Sequence, residues 1–166
     1  MTTSTALLTD RYELTMLAAA LRDGTAARPS VFELFSRRLS GGRRFGVVAG
    51  TGRLLSLLRE FRFSDDDLRY LRDEKIVDTE AQRYLEHYRF TGWIRGYREG
   101  ELYFPGSPIL TVEGTFADAV VLETLALSVM NHDSAVATAA SRMSIAAGER
   151  PLAEMGSRRA AERSAV

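Results

Sequence analysis

The sequence contains no cysteine, which excludes disulfides and thiolate metal sites outright. It has two histidines, His87 and His132, far apart and without spaced acidic partners, so a metal site built by the chain is not expected. Charge of one sign is missing too: 22 Lys plus Arg balance 22 Asp plus Glu. That leaves no global field for nucleic acid or an anionic membrane surface. Lysine is almost lacking, Lys75 being the only one, so nearly every positive charge is a guanidinium. The longest apolar run, around 117–130, is interrupted by Asp118, Glu123 and Thr124 and is too short to span a bilayer. The opening residues MTTSTALLTD have neither the basic nor the apolar region of a secretory leader. The expectation is a soluble cytoplasmic protein.

What is present is ordinary for a globular chain: 45% apolar and 27% charged residues over 166 positions. A chain of that length can bury about 70% of its unfolded surface. The most informative stretch is 116–148, which has no proline and a single glycine at its end. Ala, Leu, Val and Met dominate it, so helix propensity is high throughout. Unbroken, it would run to about 50 Å, and it is apolar nearly all round, as a helix buried on most sides would be. Thr124, Asn131 and Thr138 fall seven apart on one stripe, with Arg142 beside them. Such a stripe is expected to bond to a neighbouring helix or to backbone. A kink is expected at 131–133, and Gly148 is placed to terminate the helix. The segment 151–155 then reads as a short apolar strand, followed at once by Gly156, Ser157, Arg158 and Arg159. Helix, buried strand, then glycine and arginines is how a parallel α/β architecture begins, and ligands there sit at the carboxyl ends of strands.

Upstream, 10–23 reads as a helix whose Asp10 and Glu13 have the spacing of a capping box. Residues 30–37 and 45–49 read as strands, and 50–60 as a leucine-rich helix. Ser64 with Asp67, and Asp78, mark two further helix starts. From Thr91 the period changes to two, predicting a small antiparallel meander over 93–97, 101–104 and 109–112. The expected architecture is therefore an α+β N-terminal domain (helices plus a small antiparallel sheet) over 1–115. Over 116–166 it is followed by a long helix and the first strand of an incomplete α/β barrel.

Three groups of residues carry candidate chemistry. Arg37, Arg38, Arg43 and Arg44 flank a Gly-Gly turn, where guanidinium forks and exposed backbone N–H groups suit a phosphate or diphosphate. A solvated arginine loop explains the same residues. A nucleic-acid patch is disfavoured by the lack of interleaved aromatics. Arg158 and Arg159 follow the expected strand, where an arginine faces the ligand crevice. Tyr12, with Asp10, sits in the first turn of the first helix and could stack on a flat ring.

Several stretches, taken in order, resemble one family. They are 8–16 (LTDRYELTM), 31–37 (VFELFSR), 90–92 (FTG), 101–105 (ELYFP), 131–138 (NHDSAVAT) and 154–159 (EMGSRR). The chain is similar along nearly its whole length to nicotinate phosphoribosyltransferases, over their N-terminal portion. The resemblance implies transfer of phosphoribosyl from phosphoribosyl diphosphate to nicotinate in NAD biosynthesis, with ATP as co-substrate and Mg²⁺ accompanying the phosphates. It implies a homodimer with the site shared between subunits. Tyr12, helped by Asp10, would stack on the pyridine across the interface, and Arg37, again from the neighbouring subunit, would neutralise diphosphate oxygens. Arg158, supported by Arg159, would hold the pyridine or the product phosphate. Neither His87 nor His132 matches the motif of the family's phosphorylated histidine, so no catalytic residue is assigned. The chain is expected to be a fragment without turnover alone. The alternative is a non-catalytic module binding an anion or a partner chain through 37–44 and the long helix.

Overall fold

The computed structural model describes residues 5–156. A short 3-10 turn, Ala6–Leu8, leads into helix α1 (Arg11–Arg22). Strands β1 (Pro29–Phe35) and β2 (Gly46–Val47) follow, then helices α2 (Thr51–Glu60), α3 (Asp65–Asp73) and α4 (Thr79–Glu86). Strands β3 (Trp93–Gly96), β4 (Leu102–Tyr103) and β5 (Pro108–Thr115) precede helices α5 (Phe116–Val120) and α6 (Glu123–Ala147). The class is α+β, with helices around two small antiparallel sheets.

The pairing differs from the expected meander. One sheet runs β1-β5-β3 and the other is β2-β4, so β3 and β4 do not pair with each other. The register of β5 explains the choice. Val112 lies between Phe32 and Ile94, and Leu110 between Leu34 and Gly96, which gathers the apolar side chains onto one face. That face packs toward Ala119 of α5, Ala126 of α6 and Leu122 between them. In the second sheet, Gly46 lies opposite Tyr103. A Cβ on Gly46 would come within 2.2 Å of the Tyr103 ring, so only glycine permits the two strands to meet under it.

Local signals account for two of the helix starts. The Ser64–Asp67 capping box forms at both of its bonds, and Asp78 accepts from the Ala81 N–H at 2.9 Å. The N-terminus of α2 is capped from afar: Glu99 accepts from the Gly50 N–H at 3.1 Å and the Gly52 N–H at 2.9 Å. Asp10 does begin α1, but its side chain makes no capping bond. The expected Asp10–Glu13 box is absent because Glu13 is fully buried and bonds to Thr124 instead.

The long apolar run breaks at Val121 and Leu122, not at 131–133. Side chains around α1 hold the break open. Thr9 Oγ1 donates to the Val121 carbonyl at 2.9 Å, and Glu13 accepts from the Thr124 N–H at 3.1 Å and from its hydroxyl. The carbonyl and amide that a continuous helix would use are thereby satisfied across elements. Gly148, at φ 60°, ends α6 as expected. No strand forms over 151–155. Those residues are irregular, and Leu152 and Met155 are exposed, because among the described residues no strand lies alongside to take their backbone bonds.

One buried cluster joins both ends of the chain: Leu14 and Leu17 of α1, Phe61 and Leu71, and Leu125, Val129 and Met130 of α6. Within it, Phe61, Phe63 and Tyr88 meet edge-on at 5.6 to 6.2 Å, the arrangement ring quadrupoles favour. Among the described residues, no helix is long and apolar enough to cross a membrane.

Candidate anion pocket

The segment 36–44 leaves the end of β1 and returns to β2. Its Gly41 and Gly42 both have positive φ, 65° and 72°, so the chain reverses there without strain. The loop stands against the middle of α6, and between them lies a cavity of about 360 Å³. Arg37, Arg38 and Arg43 line one side of it, and Asn131, Ser134 and Thr138 the other. Tyr103, Ile109 and Met130 supply apolar floor. Among the described residues, none of Arg37, Arg38, Arg43 and Arg44 has an ion-pair partner, whereas Arg53 and Arg95 are paired with Asp133 and Glu113. Unpaired guanidiniums converging on a concavity suit a multiply charged anion. Among the described residues no carboxylate lines the cavity, so they offer no ligand set for Mg²⁺, which would be held by phosphate oxygens.

Ser134 and Thr138 are almost fully buried, at 3% and 2% exposure, and their hydroxyls are committed to backbone. The Val47 N–H donates to Thr138 Oγ1 at 2.8 Å, and the Ala49 N–H to Ser134 Oγ at 3.1 Å. Arg142 donates to the Phe45 carbonyl at 2.6 Å while its guanidinium sits 4.8 Å over the Phe45 ring. Thr138 and Arg142 thus behave as a structural polar stripe should. Asn131 does not: no hydrogen bond engages its amide among the described residues, and it lines the cavity. The seven-residue stripe predicts a structural bond for Asn131 and gives no sign of Ser134, four residues before Thr138.

Asp10 and Tyr12 lie elsewhere, at the start of α1. Tyr12 is 46% exposed, with the Glu123 carboxylate near its phenol. Partial desolvation, then that carboxylate, raises the phenol above its ordinary range. Glu123 borders a second hollow of about 200 Å³ under the sheet, which shares Leu34 and Leu127 with the arginine pocket. The structure therefore does not bring Tyr12 into the cavity of Arg37, but a shared rim connects the two regions. Beside Tyr12, burial pushes the Glu13 carboxyl up to about 7, although the two bonds from Thr124 oppose the shift. Among the described residues its Oε2 has no partner. Arg158 and Arg159 lie outside the described residues. Among the described residues, no group of three His, Asp or Glu could hold a metal ion.

The profile of the nicotinate phosphoribosyltransferase (NAPRTase) N-terminal domain matches residues 7–131. The chain belongs to the nicotinate phosphoribosyltransferase family. A nicotinate phosphoribosyltransferase of Mycobacterium tuberculosis is 64% identical over 160 residues, covering 96% of this chain and 35% of that protein. The Homo sapiens nicotinate phosphoribosyltransferase is 40% identical over 159 residues, covering 93% of this chain and 29% of its own length. The crystal structure of human nicotinic acid phosphoribosyltransferase superposes with a TM-score of 0.78 at 34% identity, over 89% of this chain and 30% of that one. The nicotinate-nucleotide pyrophosphorylase of Pyrococcus furiosus shares the fold, with a TM-score of 0.69 at 23% identity over 93% of this chain and 32% of that one. The chain spans about a third of the length of the curated nicotinate phosphoribosyltransferases it matches.

Proposed function

We propose that this chain is the phosphate-binding N-terminal part of an enzyme that joins nicotinate to phosphoribosyl diphosphate. The products are nicotinate mononucleotide and diphosphate, and ATP hydrolysis is coupled to the transfer. The observation that carries this reading is the cavity in which Arg37, Arg38 and Arg43, all unpaired among the described residues, face α6.

In the reaction, the bond from the ribosyl carbon to the diphosphate oxygen breaks as the pyridine nitrogen bonds to that carbon. Positive charge develops on the ribose and negative charge on the departing diphosphate. Fixed guanidiniums stabilise that departing charge without reorganising at the moment of transfer. Tyr12, 46% exposed, offers a ring face for the pyridine, with Asp10 beside it. The site would be completed between two subunits of a homodimer in the cytoplasm, with Tyr12 and Arg37 both reaching over from the neighbouring subunit. Arg158, with Arg159, would hold the pyridine or the product phosphate. Residues following α6 would take up their strand only when the rest of an α/β barrel lies alongside, so the 166-residue chain alone gives no product.

Titration calorimetry with inorganic diphosphate tests the reading. The chain binds it, and Arg37→Ala weakens binding about tenfold with little change in Tm, since one charge-assisted bond is removed from a surface group. Equal binding by the variant contradicts the assignment. The rival reading, a non-catalytic anion-binding module, uses the same cavity but gives Tyr12 no part. Nicotinate binding by the dimeric full-length enzyme that is lost in Tyr12→Ala separates the two.

A further inference from the structure

We propose that Ser134, Thr138 and Arg142 are positioning residues that hold the arginine loop in its ligand-ready shape, through a strand edge made entirely of side chains. The inference rests on the reading that the loop binds diphosphate.

The segment 45–49 has two edges. Along one, it pairs with β4: Gly46 opposite Tyr103 and Val47 opposite Leu102. The Val48 N–H extends that edge to the Glu101 carbonyl at 2.9 Å. Along the other edge no strand is present among the described residues, and α6 takes its place. Ser134 Oγ donates to the Ala49 carbonyl and accepts from the Ala49 N–H, both at 3.1 Å. Thr138 Oγ1 accepts from the Val47 N–H at 2.8 Å, and Arg142 donates to the Phe45 carbonyl at 2.6 Å.

The pattern is regular for a geometric reason. Backbone groups of alternate strand residues point to opposite edges, so 45, 47 and 49 face α6 while 46 and 48 face β4. Two strand residues advance about 6.6 Å and four helical residues about 6.0 Å. Residues 134, 138 and 142 therefore stay in step with 49, 47 and 45 across three rungs.

The far end of the arginine loop is fixed by this ladder. Phe45 follows Arg44 directly, and its ring is stacked under Arg142 while its carbonyl accepts from the same guanidinium. The near end is fixed by β1, whose Phe35 lies opposite Pro108. The helix that supplies the ladder also supplies the opposite wall of the cavity. Loop and wall thus keep one spacing. Because the two hydroxyls are spent on backbone, Ser134 and Thr138 position the loop and do not themselves bind the anion.

Thr138→Val keeps shape and burial but removes the acceptor, and Thr138→Ser restores it. Two measurements are made on the whole chain: amide hydrogen exchange at Val47 and Ala49, and titration with inorganic diphosphate. In Thr138→Val, exchange at Val47 rises at least tenfold and diphosphate binding weakens about fivefold, the scale of one lost hydrogen bond. Thr138→Ser restores both. If the wild type binds diphosphate and Thr138→Val binds it equally well, the positioning role is overturned while the function of the cavity stands. If the wild type fails to bind diphosphate, the reading of the cavity itself falls, and with it the role built on it. Unchanged exchange at Val47 also overturns the ladder. Should Thr138→Val not fold, Ser134→Ala is read by the same criteria at Ala49.

Discussion

At Asp118, Tyr84 donates to one carboxylate oxygen at 2.6 Å, Thr91 donates to the other at 3.1 Å, and Tyr88 donates to the backbone carbonyl. The Asp118 N–H is itself taken by Thr115 Oγ1 at 3.1 Å. Around 37–44 the opposite holds: four guanidiniums stand without a carboxylate among the described residues. Both regions are dense in polar groups, yet only one closes its own hydrogen bonds. A satisfied node rigidifies the fold, whereas a concentration of unspent donors in a concavity is left for something outside the chain. The first ties α4, the loop at 91 and α5 together; the second makes the loop a candidate for ligand.

Breaking the node should cost most. Asp118→Ala leaves the Tyr84 and Thr91 hydroxyls without their acceptor and lowers stability by about 3 kcal/mol, read by urea unfolding. A loss comparable to that of an exposed residue would mean that the node is not structural. In the fraction that remains folded, diphosphate affinity should be unchanged.

A buried group that is only half satisfied lies between the two extremes. Glu13 accepts from Thr124 through one oxygen, and the other is unpartnered among the described residues. Its carboxyl is held at about 7, above the ordinary 4.5, with burial as the main cause. Below the unfolded value the group is protonated in both states and costs nothing. Between 4.5 and 7 the unfolded chain ionises first, so stability falls as pH rises, by up to about 3 kcal/mol. Glu13→Gln keeps an acceptor for Thr124 and cannot ionise. It should match the wild type near pH 4.5 and exceed it in stability at pH 8; parallel unfolding profiles would refute the burial argument.

The smallest effect belongs to fully solvated pairs. Arg69 and Asp66 touch at 2.6 Å but are 58% and 86% exposed, so Arg69→Ala should shift stability by no more than about 0.5 kcal/mol. A larger loss would show that proximity, not burial, sets the scale.

Legibility in the sequence followed the same division. Signals carried by neighbours in the chain were readable: the Ser64–Asp67 box, the Asp78 cap, the glycine ending α6 and the arginines around Gly41 and Gly42. Those decided by distant partners were not. The break at Val121 and Leu122 depends on Thr9 and Glu13, more than a hundred residues away, and no periodicity within 116–148 encodes it. The meander failed because alternation marks a strand without naming its partner; β4 pairs with β2 because Gly46 admits the Tyr103 ring. At the candidate site the guanidinium loop was visible as composition. That α6 would form its other wall, with Asn131 unspent and Ser134 spent, required the packing.

The account stands or falls on the cavity between the arginine loop and α6. The direct measurement is a heteronuclear NMR titration of the chain with inorganic diphosphate, following the amides of 36–44 and the side-chain amide of Asn131. Saturable shifts concentrated at those groups, with Asp118 and its partners unmoved, are the predicted result. Shifts that are absent there, or that appear elsewhere on the surface, would contradict it.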